Sequence, residues 1–187
     1  MRWPPVALGA IAVAVIAIAG WQIWDAHWKP ESKWMDTDRP DCQAWDEAPQ
    51  RNETVAWTGD CRSGKAQGKG VLTWSYTDRT GQAQTETFSG TLLDGKEDGR
   101  GNYLFPDGTR YDGEYRNGKE NGQGVLAWKD AKYDGAWKDG RPHGHGVLTT
   151  DDGVYDGEWK EGCLDHEGSV ISLRDDDECN RILGKAE

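Results

Sequence analysis

Three short stretches of this chain decide its fold: residues 111–115 read YDGEY, residues 133–137 read YDGAW and residues 155–159 read YDGEW. Their first residues follow one another at a constant interval of 22 positions. Self-similarity at a fixed period of about 20–50 residues is typical of repeat proteins, in which each unit buries its apolar side against its neighbours. The sequence therefore predicts an array of similar units in place of one conventional core.

Alternation within each unit predicts a β-hairpin. In residues 133–137 the two rings and the glycine fall on one side of an extended strand, while Asp134 and Ala136 fall on the other. A G-x-G pair then opens a second alternating run, such as residues 124–128, GVLAW. Asn-Gly and Asp-Gly dipeptides join the runs, and such dipeptides favour tight hairpin turns. We therefore expect a long antiparallel meander.

Two further copies lie upstream, and the five copies together occupy residues 55–168. One upstream copy begins near Trp57 and the other near Phe88, with an insertion over residues 76–85 between them. In the last copy His166 stands where the first glycine of the G-x-G pair is expected. Glycine on the ring-bearing side has a steric use, because a missing Cβ lets a neighbouring ring lie against the backbone.

The pattern Y-x-G-x-W, followed by a glycine and then by G-x-G, resembles the MORN repeat. The resemblance covers residues 55–168 and implies an elongated, grooved sheet used for assembly, dimerisation or membrane association. It implies no activity of its own and no cofactor. The expected fold class is all-β: an elongated antiparallel β-meander solenoid of MORN-type hairpins, preceded by one N-terminal transmembrane helix.

The expected helix is the uncharged stretch of residues 3–24. A helix of that length reaches about 33 Å, enough to cross a hydrocarbon core of roughly 30 Å, so the lipid bilayer is one expected partner. Arg2 precedes the stretch and Asp25 follows it, which predicts a cytoplasmic N-terminus and a periplasmic or extracellular repeat domain. Cleavage after Ala19, at the A-x-A sequence of residues 17–19, is the alternative and predicts a secreted protein.

The chain is accordingly divided into four parts. Residues 1–28 are the signal-anchor helix, residues 29–54 a juxtamembrane linker, residues 55–168 the repeats, and residues 169–187 a C-terminal capping segment and tail. In the tail a short β-type run is expected to cover the last sheet edge. The acidic residues 175–178 are expected to form a solvated face.

The four cysteines are an even set, as expected for a chain that reaches an oxidising compartment. Cys42 and Cys61 are close in sequence, as are Cys163 and Cys179, and the two pairs flank the repeats. We expect one disulfide within each pair. Free buried thiols are the alternative, because cysteine also packs as a small apolar residue.

Net charge and composition restrict the function. A net charge of -11 disfavours nucleic acid, whose phosphates are bound by clustered Lys and Arg. His143, His145 and His166 are three potential zinc ligands, but other copies carry ordinary polar residues near these positions, so no metal is expected. No set of side chains typical of a catalytic site stands out, and the protein is not expected to be an enzyme.

The rings on the glycine-bearing side are either a core or a binding face that stacks on sugars or grips a peptide. The candidate residues are Trp57, Tyr111, Tyr115, Tyr133, Trp137, Tyr155 and Trp159. The favoured function is a non-catalytic, membrane-anchored interaction or scaffold module that docks another exported or membrane protein through its repeat sheet. The alternative is a protein that binds glycan or cell wall through these rings.

Overall fold

The fold is nearly all β. The computed structural model describes residues 32–173 and 176–185, and within them twelve strands form one mostly antiparallel sheet, while two more form a separate pair. The helix predicted over residues 1–28 lies outside the described residues. Among those described, no helix has both the length and the apolar character needed to cross a bilayer.

The elements follow one another from the N-terminal end. They are β1 (Lys33–Asp36), β2 (Gln43–Asp46), β3 (Thr54–Trp57), β4 (Asp60–Arg62), β5 (Lys65–Thr77), β6 (Ala83–Leu93), β7 (Lys96–Leu104), β8 (Arg110–Arg116), β9 (Lys119–Trp128), β10 (Ala131–Lys138), β11 (Arg141–Thr150), β12 (Gly153–Trp159), β13 (Cys163–His166), β14 (Ser169–Ser172) and α1 (Asp176–Ile182).

The predicted meander is confirmed from β5 to β12, where each strand pairs antiparallel with the next one in the chain. On the other side of β5, the short strands β3 and β4 pair with its two halves. The insertion between the upstream copies lengthens β5 and β6, whose pairing extends to Thr77 and Ala83. Sequence neighbours are thus sheet neighbours throughout the array.

One glycine from each of these eight strands lies in a single line across the sheet, which we call the glycine row. Its members face one another in register: Gly70, Gly90, Gly101, Gly113, Gly124, Gly135, Gly146 and Gly157. The row provides a strip of backbone without side chains.

Aromatic rings lie on this strip. A Cβ added at Gly113 would stand 2.6 Å from the Cα of Gly124 and in contact with the Tyr111 ring. Such a distance is far inside van der Waals contact, which requires about 3.5–4.0 Å between carbon atoms. Tyr111 and the equivalent Tyr133 are 1% and 0% exposed, so the absence of side chains in the row is what buries them.

Beyond the row the hairpins change register. The pairing shifts between Gly90 and Leu92, and equivalent shifts follow Gly113 and Gly135. A bulge of this kind bends the strand and increases its twist. Each hairpin then closes in a tight turn, which we call a tip, whose two residues both have positive φ. The tips are Ser63-Gly64, Asp94-Gly95, Asn117-Gly118, Asp139-Gly140 and Glu161-Gly162.

Successive tips are joined by hydrogen bonds, forming what we call the tip row. The N–H of each tip glycine after the first donates to a carbonyl just beyond the preceding tip. The four bonds are Gly95 to Ala66 (2.8 Å), Gly118 to Glu97 (2.9 Å), Gly140 to Glu120 (3.0 Å) and Gly162 to Pro142 (2.8 Å). The same contact is therefore repeated from one end of the array to the other.

The buried rings form a continuous series of edge-to-face contacts, with centroids 5.0 to 5.3 Å apart. The series runs Phe88, Tyr115, Tyr111, Trp137, Tyr133, Trp159. The indole N–H of Trp137 donates to the Gly124 carbonyl at 3.1 Å, and that of Trp159 donates to Gly146 at 3.0 Å. Each indole thus joins its repeat to the preceding one while its ring fills the core.

At the N-terminal end, the hairpin of β1 and β2, which we call the arm, lies across the first two tips. The N–H of Gln43 donates to the Gly64 carbonyl at 3.0 Å, and that of Trp45 donates to Gly95 at 2.8 Å. The Sγ atoms of Cys42 and Cys61 are at disulfide bonding distance, so the arm is also attached covalently. The linker predicted over residues 29–54 therefore includes an ordered part of the sheet.

At the C-terminal end, β13, β14 and α1 cover the last repeat. Leu164 packs over Gly157, and the N–H of Leu173 donates to the carbonyl of the last tip glycine, Gly162, at 2.8 Å. Cys163 and Cys179 form the second disulfide pair. Both cysteine pairs are those expected from the sequence.

The helix α1 was not anticipated. It begins at Asp176, inside the stretch expected to be a solvated acidic face, and carries Cys179 inward to its partner. Arg181 in the last turn complements the helix dipole. The stretch that the sequence predicts as a solvated acidic face therefore contains the start of a helix.

The two sides of one strand should differ in their tolerance of a side chain. We expect Gly135→Val to lower the free energy of unfolding by about 1–3 kcal/mol more than Asp134→Val, because only Gly135 faces the buried rings. Thermal and urea denaturation of the two variants provide the comparison. Equal stabilities would show that the glycine row does not set the packing.

The second disulfide should hold α1 in place. We expect Cys163→Ser with Cys179→Ser to reduce the free energy of unfolding by about 2–4 kcal/mol, since the bond closes a loop with a sequence separation of 16. Hydrogen exchange should show lost protection of the Asn180 and Arg181 amides, and thiol reduction of the unmodified protein should reproduce it. Unchanged protection of those amides would contradict this role.

Candidate functional site

The structure buries six of the seven predicted face residues in the core. Trp57, Tyr111, Tyr115, Tyr133, Trp137 and Trp159 are each no more than 6% exposed, and Tyr155 is partly buried. Phe88 and Leu92 lie in the same layer. A sugar ring needs an open aromatic surface on which to stack, and the six buried rings have none. For these six rings the structure favours the core over a binding face.

The opposite side of the sheet, which we call the outer face, is solvated and charged. Aspartates and valines alternate across neighbouring strands in register, in the order Asp112, Val125, Asp134, Val147, Asp156. All three aspartates are exposed. Asp112 and Asp134 each have a cationic neighbour, Arg100 at 3.4 Å and Lys132 at 3.5 Å, and Asp156 lies 2.9 Å from the His145 ring nitrogen. A regular row of carboxylates, each beside a basic side chain, therefore crosses the array.

The three histidines do not converge. His145 faces Asp156 on the outer face, whereas the His166 ring packs edge-on against Tyr155. Over residues 32–173 and 176–185, no group of three His, Cys, Asp or Glu side chains has the arrangement needed to hold a metal ion. His145 and His166 take part in separate local contacts.

A buried acidic cluster lies beneath the arm, where β2 meets the second and third hairpins. Burial raises the pKa of Glu97 to about 8, and the carboxylates of Glu120, Glu47 and Asp46 add to the rise. Burial likewise raises the pKa of Glu120. The pKa of Glu53 is raised to about 8 by burial and by its hydrogen bond with Asp46. At neutral pH Glu97 and Glu53 therefore hold protons that exposed carboxylates would have lost.

One polar atom of this region, the Tyr115 hydroxyl, has no hydrogen-bond partner among the described residues. Tyr115 is only 5% exposed and faces Glu120 across the β8–β9 pair. Burial and the charges of Glu120 and Glu97 raise its pKa. The cluster can bind and release protons, and it couples the ionisation of these carboxyls to the packing of the arm.

The acidic cluster was missed in the sequence, because its members come from three separate segments. Asp46 belongs to the arm, Glu97 to β7 and Glu120 to β9. A local signal was present: Glu97 and Glu120 each follow a tip glycine by two positions, in the motif G-K-E. That position faces inward in the first repeat too, where it is the fully buried Ala66.

A charged outer face on a regular β-hairpin array defines the class: a repeat protein whose exposed surface is made of equivalent positions. The family model for the MORN repeat matches four stretches, residues 58–75, 88–110, 111–130 and 133–154. MORN repeats are therefore present within residues 58–154. The fifth copy, from Tyr155 onward, lies beyond these matches, so five repeats remain an expectation.

Alsin of Rattus norvegicus, which has MORN repeats, is 34% identical to this chain over 83 residues. The match covers 42% of this chain and 4% of Alsin. MORN repeats generally mediate protein or membrane interactions, and the comparisons suggest an interaction module without enzymatic activity.

The buried carboxyl of Glu97 should make the fold pH-dependent. Because its pKa is raised in the folded state, its protonated form stabilises the protein fully below about pH 4.5, and that contribution is lost as the pH rises to about 8. Glu97→Gln keeps the side chain neutral, so we expect the variant to lose less stability over this range. The full shift corresponds to at most about 5 kcal/mol.

Urea denaturation at several pH values across this range measures the difference. Asp98→Asn, at the next position, serves as the control because that side chain lies toward the solvent side of the same strand. Identical pH dependence in the unmodified protein and Glu97→Gln would show that Glu97 is already ionised in the folded state.

Proposed function

We propose that the protein is a non-catalytic, membrane-anchored scaffold that docks another exported or membrane protein through the outer face of its repeat sheet. The observation that carries the proposal is the division of the sheet into two unlike sides. The side chains on one side are buried in the core, while the other side presents Asp112, Asp134 and Asp156 at equivalent places on successive hairpins. A rigid row of equally spaced charges suits recognition of an extended partner surface.

Exchangeable ion pairs make this face suitable for binding. Arg100 and Asp112 are 78% and 61% exposed, and Lys132 and Asp134 are 51% and 54% exposed. Exposed pairs of this kind contribute only about 0–1 kcal/mol to stability. A partner can therefore replace them with its own charges at little cost to the fold. The burial of the rings leaves the glycan alternative without a comparable surface.

The anchor in this proposal is the apolar stretch of residues 3–24, with the repeats on the oxidising side of the membrane. Two cysteine pairs at disulfide distance support export, because disulfides persist mainly in oxidising compartments. Periplasmic or extracellular placement follows from the charges that flank the stretch. Anchoring would hold the array near a membrane partner and raise the effective concentration of each for the other.

A pull-down from detergent-solubilised native membranes tests the proposal. We expect the full-length chain to retain one defined membrane protein, and Asp134→Lys to reduce that retention without changing the melting temperature. Asp130→Lys is the matched control, because it makes the same charge change in the exposed β9–β10 turn. Docking through the outer face would be contradicted if both variants retained the partner equally. It would also be contradicted if neither the unmodified chain nor the Asp130→Lys control retained the partner.

A further inference from the structure

The tip row carries a second feature that the proposed function does not use. Three tip carbonyls are bonded by the ends of the chain: Gly64 and Gly95 accept from the arm, and Gly162 accepts from Leu173. The carbonyls of the two tips between them differ. Within residues 32–173 and 176–185, no N–H or side chain donates to the carbonyl of Gly118 or Gly140.

Exposure follows the same division at four of the five tips, the exception being Gly64, which is exposed although the arm bonds its carbonyl. Gly95 and Gly162 are buried beneath the segments that bond them, whereas Gly118 is only partly buried and Gly140 is exposed. The bonds from tip to tip are the same along the row, with lengths of 2.8 to 3.0 Å. The open carbonyls are therefore placed relative to each other as the occupied ones are.

The arm shows what such a pair of carbonyls can bind. Gln43 and Trp45, two residues apart in β2, donate their N–H groups to successive tips. Alternate residues of a strand point their N–H groups to the same side about 6.6–6.8 Å apart. The spacing of the tips therefore suits an extended strand that lies across the hairpin ends.

The chain itself does not continue onto the open tips. Its strand ends at Asp46, whose carboxylate accepts from the N–H of Ala48 at 2.8 Å and turns the backbone away. Pro49 follows and has no N–H to donate. The site is thus two acceptors long, bounded by the arm at one end and by the bonded Gly162 at the other.

Side chains next to the tips indicate the chemistry of the occupant. Each of the first four tip glycines is followed by a cationic residue. Lys65 lies 3.1 Å from the centroid of the Trp34 ring, and Lys96 lies 4.6 Å from that of Trp45. At the open tips Lys119 and Arg141 hold the same position, and each is about half exposed.

These two cations are paired with carboxylates in place of rings. Lys119 lies 3.8 Å from Glu47, and Arg141 lies 3.4 Å from Glu161. Ion pairs with side chains this exposed are weak, so an aromatic ring can stack on the cations at modest cost. The open tips therefore repeat the arrangement that binds the arm, with the cations accessible.

We propose that the tips at Gly118 and Gly140 form a docking site for an extended, aromatic-bearing segment of a partner protein, which adds as a strand in line with β2. Its N–H groups at two alternate residues donate to the two carbonyls, and its rings stack on Lys119 and Arg141. Pro142, two residues beyond the second open tip glycine, has no N–H to donate. The docking site lies apart from the outer face, and either site can exist without the other.

Carbonyl NMR on the full-length chain in a mild detergent tests the site directly. Glycine labelled with carbon-13 at the carbonyl, combined with lysine and arginine labelled with nitrogen-15, selects the peptide units in which glycine precedes a cation. There are seven: Gly64-Lys65, Gly68-Lys69, Gly95-Lys96, Gly99-Arg100, Gly118-Lys119, Gly140-Arg141 and Gly184-Lys185. The probe is the acetylated and amidated peptide QWQWQ.

We expect the peptide to shift the signals of Gly118 and Gly140 and to leave the other five in place. The same peptide N-methylated at both tryptophan amides should bind at least about tenfold more weakly, because it has lost two donors. Lys119→Ala with Arg141→Ala should also weaken binding. Lys69→Ala, which removes an exposed cation from β5, should not.

Three outcomes would overturn the proposal. One is the absence of any shift at Gly118 and Gly140 up to the solubility limit of the peptide. Another is equal affinity for the N-methylated peptide, which would show binding without the two carbonyls. The third is a shift of both signals with protein concentration alone, which would identify a second copy of the chain as the occupant.

Discussion

The structure depends on one steric constraint: a row of glycines in register, on which aromatic rings lie flat against the backbone. Gly113 and Gly124 illustrate it, since any Cβ there would enter the space of Tyr111. Because the strip is bare, each ring is buried by the sheet itself, and the rings reach one another edge to edge along the array. Large rings bury about 150–250 Å² each, so a chain poor in aliphatic residues can still exclude water.

The bend beyond the glycine row completes this core. Register shifts follow the glycine row in three hairpins, and each tip after the first donates a hydrogen bond to a carbonyl just beyond the preceding tip. This makes a second line of contact between neighbours, besides the sheet. The two ends of that line are closed by different means: the arm and its cysteine pair at one end, and β13, β14 and α1 at the other. Because buried carboxyls lie beneath the arm, the packing at the first end depends on their protonation.

Much of this architecture could be predicted from the sequence, because alternation and turn residues are local signals. The strands, the tips and the cysteine pairs followed from residues close in the chain. The choice between core and binding face for Tyr133 and Trp137 did not, because it depends on the shift in pairing after Gly135, which is a property of two strands together. The acidic cluster was missed for a similar reason, since Asp46 meets Glu97 and Glu120 only after the arm crosses the tips. The acidity of residues 175–178 indicated a solvated face and so concealed the start of α1.

Because of the tip row, the number of repeats sets the length of the array. Since each tip bonds to its immediate neighbours, one more 22-residue unit inserted in the middle would repeat existing contacts and leave both ends unaltered. Each unit adds two strands, or roughly 9–10 Å along the sheet. Duplication or loss of a repeat in the gene can therefore lengthen or shorten the distance between the two ends of the array in fixed steps. Evolution can adjust that distance without altering the contacts at either end.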